Sequence, residues 1–201
     1  MSTSTTTATV RPGAVLADVL PASTAARARV RDAALVLGGA VLTGVAAQLV
    51  VPVPGSPVPV TGQTFAALLV GAGLGARRAL ASLGLYAAAG VAGMPWFAEG
   101  GSGAAMPSFG YILGMLLAAV VVGALARRGG DRGALRTAGT MAVGTAVIYA
   151  IGVPYLALAT GMSLGQAAAA GLVPFLVGDA LKAALAMGAL PAAWKLVGRN
   201  A

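Results

Sequence analysis

The sequence contains no cysteine and no histidine among its 201 residues. Disulfide bonds, thiol catalysis and the common zinc sites are therefore excluded. Charged side chains are also scarce, at 9% of the residues against about 25% in an average soluble domain. The phosphate-binding motif Gly-x-x-x-x-Gly-Lys-Ser/Thr does not occur. These absences argue against a soluble domain, a thiol or zinc enzyme, and an ATP-hydrolysing subunit.

Apolar side chains are what the sequence has in abundance, at 58% of the residues. Six helices of about 20 residues, the length that crosses the hydrocarbon layer, would use most of the chain. The formal net charge of +8 could indicate nucleic-acid binding, but the cations form short clusters between apolar runs. Such clusters are typical of the loops of membrane proteins. We therefore predict an all-α, polytopic protein of the cell (cytoplasmic) membrane, in contact with lipid and with no nucleic acid.

The apolar runs predict a bundle of six transmembrane helices in a single domain, residues 27–201. Residues 1–26 are rich in Ser, Thr, Ala and Pro, which predicts a mobile tail with a short amphipathic piece at Val15–Leu20. Four prolines within Val51–Val60 predict an extended segment that is shielded by protein or lies at the surface. The six predicted helices cover residues 33–51, 63–75, 79–97, 109–126, 138–159 (interrupted at Gly152 and Pro154) and 170–190.

The lysine and arginine residues predict the orientation of the bundle. With a cytoplasmic N-terminus, twelve of the 13 Lys and Arg residues fall in inside segments, and the other is Lys182 in the last helix. Cytoplasmic loops carry such an excess of cations, so we predict that both termini are cytoplasmic. The inside segments are residues 1–32, 76–78, 127–137 and 191–201.

The last predicted helix carries two ionisable side chains, Asp179 and Lys182, well inside its ends. Each would cost roughly 2.5–3.5 kcal/mol at the centre of a membrane helix if it were isolated. Their spacing of three residues places both on one helix face, so we expect them to pair. One interpretation is a structural ion pair between helices. The other is a solute site in which the pair offers an acceptor and a cation to a bound polar molecule.

The predicted topology brings the polar groups to the outer half of the bundle. With a helix start at Ala170, Asp179 would lie about nine residues, or roughly 13 Å, below the outer end. Gln63, Thr64 and Tyr111 lie near the outer ends of their helices, and Ser102 lies in an outer loop. This arrangement predicts a pocket that opens to the outside.

Six short runs, in order along residues 33–192, resemble the motifs of a known family. The first, Pro57-Val-Pro-Val-Thr-Gly-Gln-Thr64, is similar to the signature loop of the BioY family, the biotin-binding substrate components (S components) of energy-coupling factor (ECF) vitamin transporters. The resemblance implies a six-helix protein that captures biotin outside the cell. It also implies two kinds of partner, a transmembrane coupling subunit and ATP-binding-cassette (ABC) ATPase subunits, and no cofactor. The other runs are Leu85-Tyr86, Gly93–Ala98, Gly100–Gly103, Pro107–Tyr111 and Gly178–Lys182.

The resemblance also implies which residues bind the ligand. Asp179 and Lys182 match the acidic and basic pair of the family, and their chemistry suits biotin. A lysine can bind the carboxylate of biotin, and an aspartate can accept the N–H groups of its urea ring. Aromatic side chains can pack against the rings. The predicted ligand-binding residues are Gln63, Thr64, Tyr86, Ser102, Tyr111, Asp179 and Lys182, and no catalytic or metal-binding residue is expected.

Small residues recur on the first predicted helix, where Gly39, Thr43 and Ala47 lie four apart, as do Ala40 and Gly44. Rows of small residues let another helix approach closely. We therefore expect large residues at Ala40 or Gly44 to disturb assembly with the transmembrane partner while sparing ligand binding.

Three alternatives stay open on the sequence. The same scaffold could bind another vitamin that has an acid and a ring. An intramembrane enzyme could use Asp179 as acid or base with Lys182 as its electrostatic partner, although no second carboxylate, histidine or thiol lies in a predicted membrane segment. A scaffold protein could use the pair only to lock helices together. Tight, saturable binding of a vitamin distinguishes a transport component from the enzyme and the scaffold.

Overall fold

The computed structural model describes residues 13–199, except for the side chains of residues 198 and 199. The regular structure of these residues is helical apart from one short strand pair, as the all-α prediction requires. The helices are α1 (Ala25–Ala47), α2 (Gln63–Leu74), α3 (Ala76–Val91), α4 (Phe109–Arg127), α5 (Ala134–Thr160), α6 (Leu164–Gly171) and α7 (Leu176–Arg199). The strands are β1 (Val50–Val51) and β2 (Val60–Thr61).

Within residues 13–199, four helical stretches are long and apolar enough to cross a membrane, namely α1, α4, α5 and the stretch Leu164–Val197 that contains α6 and most of α7. The helices α2 and α3 have 12 and 16 residues. At 1.5 Å per residue they span roughly 18 and 24 Å, less than the roughly 30 Å of the hydrocarbon layer. The helix α5 runs without a break through Gly152 and Pro154, so the predicted interruption there is wrong.

The helix α4 lies at the centre of the bundle and packs against α2, α3 and α5. Glycine makes two of these contacts possible. A Cβ atom at Gly71 of α2 would lie 2.6 Å from the carbonyl oxygen of Ala119. One at Gly114 of α4 would lie 2.7 Å from the carbonyl oxygen of Ile148 on α5. The glycines therefore allow the backbones to approach closely, as small residues commonly do between membrane helices.

The predicted stripe of small residues on α1 is a packing surface, but it packs within the chain. A Cβ atom at Gly39 would lie 2.6 Å from Ser82 Oγ on α3, and one at Gly44 would lie 3.0 Å from the indole ring of Trp96. Ala40 is 1% exposed. A large residue at Ala40 or Gly44 would clash with other residues of the same chain. We therefore expect such a substitution to disturb the packing of the chain itself as well as any assembly with a partner.

The proline-rich segment is extended, as predicted, and folds back as a hairpin. In the antiparallel pair Val50 lies opposite Thr61 and Val51 lies opposite Val60. The amide of Gly62 donates to the carbonyl oxygen of Leu49 at 3.0 Å, which continues the pairing to the start of α2. Proline has no amide donor and cannot propagate a helix, so the returning half of the hairpin leads into α2 only at Gln63.

The last helix begins later than predicted because Pro174 interrupts the apolar run. Proline lacks the amide donor and disfavours a helical residue before it. The chain therefore forms α6, then a 3-10 turn at Val173–Phe175, and then α7 from Leu176. Asp179 lies in the first turn of α7, not nine residues below the end of a continuous helix. The helix dipole stabilises negative charge at this position.

Part of the predicted N-terminal tail packs against the bundle. Residues Leu16–Val19 form a 3-10 turn at the predicted amphipathic piece, and the neighbouring Val15 is completely buried. The carboxylate of Asp18 lies 2.7 Å from the guanidinium of Arg78 and 3.6 Å from that of Arg127. Apolar burial and ion pairs thus attach residues 13–20 to the helices, which corrects the prediction for this part of the tail. Residues 1–12 lie outside the described residues.

Candidate functional site

A partly enclosed pocket lies where α2, α4 and α7 begin, beside the returning half of the hairpin and one face of α5. Helix N-termini therefore surround it, which favours negative charge and acceptor groups there. Its apolar residues include Leu68, Phe97, Met115, Ile148 and Phe175, all buried. Its polar residues are Thr61, Gln63, Thr64, Ser108, Tyr111, Thr145, Tyr149, Asp179 and Lys182.

The predicted ion pair forms one wall of the pocket. Lys182 Nζ lies 3.4 Å from Asp179 Oδ1 and donates to Thr64 Oγ1 on α2 at 2.8 Å. The two side chains are 18% and 13% exposed, so both charges are largely removed from solvent and balance each other. The Lys182 ammonium therefore lies closer to the Thr64 hydroxyl than to the Asp179 carboxylate. The pair therefore holds a cation and an acceptor ready at the cavity surface.

Two tyrosines complete this wall. Tyr149 of α5 donates its hydroxyl to Asp179 Oδ2. Its ring meets the ring of Tyr111 edge-on, with 6.4 Å between the centroids and 88° between the planes. Tyr111 in turn donates to the carbonyl oxygen of Gly171 at 2.8 Å. The Asp179 carboxylate is thus joined through the two rings to the end of α6.

The cavity is small for an organic ligand. Its volume is about 50 Å³, whereas sites for such ligands have roughly 300–1,000 Å³. A ligand must therefore widen the pocket when it enters. Val58 and Pro59 of the hairpin belong to the lining, and they lie on a part of the wall that is not helical.

The structure brings five of the seven predicted ligand-binding residues to the pocket and leaves two outside it. Tyr86 is completely buried between α3 and the following loop, where its ring packs on Trp96 at 5.1 Å and on Phe97 at 5.3 Å. Phe97 lines the pocket and Tyr86 lies behind it, so Tyr86 does not face the cavity in this structure. Ser102 is exposed in its loop and is likewise not part of the lining. The five that line the pocket are Gln63, Thr64, Tyr111, Asp179 and Lys182.

Four polar residues of the lining were not among the predicted ligand-binding residues, and the first of them, Thr61, lies on β2. Ser108 directly precedes α4 and lines the pocket, whereas Ser102 of the same loop does not. Thr145 and Tyr149 lie on α5, four residues apart and hence on one helix face. The sequence signal that could have identified Thr145 and Tyr149 was this spacing of two polar residues within an otherwise apolar run.

The arrangement is suited to binding and offers little for catalysis. Asp179 is the single carboxylate of the lining, and its oxygens already contact Tyr149 and Lys182. No cluster of three His, Cys, Asp or Glu residues that could hold a metal ion occurs within residues 13–199. The pocket can accept a molecule that has an anionic group, N–H donors and an apolar body.

Comparisons with known proteins identify the family. A model of the BioY family matches residues 20–199. A probable biotin transporter BioY of Pyrococcus horikoshii is 35% identical over 162 residues, which cover 79% of this chain and 93% of that protein. A biotin transporter BioY of Rhizobium etli is 32% identical over 140 residues, or 65% of this chain and 74% of that protein. For a probable biotin transporter BioY of Lysinibacillus sphaericus the identity is 36% over 129 residues, and the match spans 65%, just under two thirds, of that protein.

A solved structure has the same fold. The crystal structure of the S-component for biotin from an ECF-type ABC transporter matches with a TM-score of 0.76 over 87% of this chain and 95% of that one. The sequences are 21% identical, so this likeness concerns the fold. The family match, in contrast, rests on the sequence and covers nearly all of the described residues. By its sequence and its helical architecture, this chain belongs to the BioY family.

Proposed function

We propose that the chain captures biotin from outside the cell and is the substrate-binding component of an ECF-type transporter. The observation that carries this proposal is the buried Asp179–Lys182 pair on the wall of a pocket that is otherwise largely apolar. Biotin offers complementary groups: a carboxylate, a urea ring with two N–H donors, and an apolar ring system. The relatives named as biotin transporters support the same ligand.

In the proposed complex, Asp179 accepts a hydrogen bond from the urea N–H groups and Lys182 binds the carboxylate. Gln63 or Ser108 donates to the urea oxygen, and the buried aromatic and aliphatic side chains contact the rings. The urea and the carboxylate lie at opposite ends of biotin, so Lys182 must move away from Asp179 as the ligand binds. Its four-carbon stem allows this movement.

Transport, and not catalysis, is the activity of the family to which the chain belongs. The chain is accordingly a multi-pass protein of the cell membrane. Because it has no phosphate-binding loop, the energy for uptake must come from other subunits. We propose that these are a transmembrane coupling subunit and ABC ATPases.

We also propose that the chain crosses the membrane six times, with both termini in the cytoplasm. The short helices α2 and α3 would complete their crossings with the non-helical segments at their outer ends, which other parts of the bundle shield from lipid. The distribution of Lys and Arg supports this orientation. We further propose that residues 27–201 form a single transmembrane domain.

The topology can be tested with single cysteines, because the sequence contains none. Ser102→Cys should react with a membrane-impermeant maleimide on intact cells. Ala134→Cys and Lys195→Cys, both at exposed positions, should react only after permeabilisation. Labelling of Lys195→Cys on intact cells would overturn the proposed position of the C-terminal end.

Calorimetric titration of biotin into the detergent-purified protein tests the ligand. We expect saturable binding of one biotin per chain. Thiamine and riboflavin, which lack the combination of an acid and a cyclic urea, should give no binding heat. A folded protein that binds another vitamin and not biotin would keep the scaffold and change the ligand, and one that binds no vitamin would leave the structural ion pair as the better interpretation.

A further inference from the structure

The two oxygens of the Asp179 carboxylate have different partners. Oδ2 accepts the hydroxyl of Tyr149, whereas Oδ1 lies 3.4 Å from Lys182 Nζ. A hydrogen bond to a carboxylate from N–H is ordinarily about 2.7–2.9 Å, so the lysine contact is a weak one. The ammonium is satisfied chiefly by Thr64 at 2.8 Å. Of the two donors on Asp179, Lys182 is therefore the easier to replace.

Tyr149 is also the donor that is held in place. Its ring meets Tyr111 edge-on, and the position of Tyr111 is determined from two sides. A Cβ atom at Gly152 would lie 2.5 Å from the Tyr111 ring, and one at Gly171 would lie 2.2 Å from its hydroxyl. The Tyr111 ring thus fills a slot that only glycine leaves open. The Lys182 ammonium is carried on a flexible four-carbon stem instead, so it can move without displacing a packed ring.

We infer that Tyr149 is a positioning and specificity residue for the ligand. It keeps Oδ2 occupied and turns the carboxylate so that Oδ1 is the oxygen available to a ligand N–H group. This inference rests on the proposed function. A ligand with an N–H donor replaces Lys182 at Oδ1 and releases the ammonium toward the ligand's own anionic group. The hydrogen bond between Tyr149 and Asp179 remains throughout.

The geometry also explains what Tyr149 prevents. Without its hydroxyl, both oxygens of Asp179 would be free, and the carboxylate could turn to bind Lys182 with both. Ligand binding would then have to break a stronger internal ion pair. Tyr149 therefore favours the ligand by weakening the competing contact as well as by orienting the acceptor.

The test compares Tyr149→Phe with Tyr155→Phe. Tyr155 lies on the same helix, donates to the carbonyl oxygen of Ala104 at 3.0 Å, and is not part of the pocket lining. We expect Tyr149→Phe to lower the affinity for biotin about tenfold or more, because the loss of a hydrogen bond to a charged group weakens binding by about that factor. The loss should be the same for biotin and for biotin amide, because it concerns the urea end. Tyr155→Phe should bind as the wild type does.

A double-mutant cycle separates positioning from general stability. On an Asp179→Asn background, Tyr149→Phe should cause little further loss of affinity, because the hydroxyl acts through the carboxylate. Full additivity of the two losses, or an affinity of Tyr149→Phe within twofold of Tyr155→Phe, overturns the inference. A wild type that fails to bind biotin overturns the proposed function as well, so the two failures are distinguishable.

A measurement on the wild type covers the case in which Tyr149→Phe does not fold. Infrared difference spectra between the free protein and the protein loaded with biotin amide, which has no carboxylate of its own, should show a change in the carboxylate band, since the donor on Oδ1 is exchanged. The tyrosine C–O band should stay unchanged, since Tyr149 keeps its bond. A shift of the tyrosine band on loading that persists in Tyr111→Phe would mean that the ligand displaces Tyr149, which overturns the inference.

Discussion

Trp194 donates its indole N–H to the buried carboxylate of Asp131, with 2.7 Å between Nε1 and Oδ2. This bond joins the last turns of α7 to the loop between α4 and α5. The guanidinium carbon of Arg132 lies 3.5 Å from the centroid of the Trp194 ring, which adds a cation–π contact. The helix that carries Asp179 and Lys182 is thus fixed at its far end as well as in the pocket.

Asp131 should give the protein a distinctive pH dependence. Burial raises the pKa of Asp131 above its ordinary value of 3.8, against the opposing effects of the Trp194 hydrogen bond and the charge of Arg132. The folded protein therefore binds this proton more tightly than the unfolded chain, and stability falls as the pH rises from 3.8 through the folded-state pKa. Asp131→Asn removes this dependence. The melting temperature of Asp131→Asn minus that of the wild type should increase from about pH 4 to about pH 7, and a flat or falling difference would contradict the prediction.

Asp18 should show the opposite sign. Burial raises the pKa of Asp18, but the hydrogen bond from Arg78 and the nearby guanidinium charges outweigh it, so the pKa lies below its ordinary value of 3.8. The contribution of Asp18 to stability is therefore present above 3.8 and is lost as the pH falls through the folded-state pKa. The wild type should melt higher than Asp18→Asn near neutral pH, and this advantage should shrink in acid. Equal melting temperatures at neutral pH would mean that the N-terminal attachment contributes nothing.

Lys182→Ala should weaken the binding of biotin far more than the binding of biotin amide, because only biotin has the carboxylate that Lys182 binds. A hydrogen bond to a charged group contributes about 1.5–3 kcal/mol, which corresponds to a loss of roughly 10- to 100-fold in affinity. Calorimetric titration measures both ligands. Lys195→Ala is the matched control, since Lys195 is exposed and remote from the pocket. Equal losses for the two ligands would show that Lys182 does not bind the acid.

Gly152→Ala should disturb the pocket through Tyr111. The added Cβ atom would lie 2.5 Å from the Tyr111 ring, and overpacking of this kind costs about 1–3 kcal/mol. We expect a lower melting temperature and weaker binding of biotin, because the ring that supports Tyr149 must move. Gly139→Ala, on the same helix with no atom within 4 Å of the new Cβ, should keep both properties or gain slightly in stability. Similar behaviour of the two variants would show that the slot for Tyr111 is not tight.

The starts of two helices could be predicted because local sequence decides them. Gln63 and Phe109 follow segments that are broken by proline and glycine, and the structure begins α2 and α4 at these residues. The start of α7 was missed because the apolar run continues without change of composition across Pro174. A single proline decided the break there, and hydropathy alone could not reveal it.

Within the site, the residues of one helix turn were predictable and the contacts between helices were not. Asp179 and Lys182 are three apart, and that spacing by itself brings their side chains together. The partner of Asp179 on α5, Tyr149, lies 30 residues earlier in the chain. Tyr86 has the same chemistry as Tyr149, yet it lies behind Phe97 and away from the cavity.

The sequence by itself determined the membrane class, the helical architecture and the presence of a buried charge pair, because composition and short-range spacing govern these. Only the tertiary structure decided which polar side chains share a cavity with that pair. Helix rotation and close approach at glycines set those distances, and they depend on contacts between residues far apart in the chain. The same packing gives the two oxygens of Asp179 different donors, one on its own helix and one on α5.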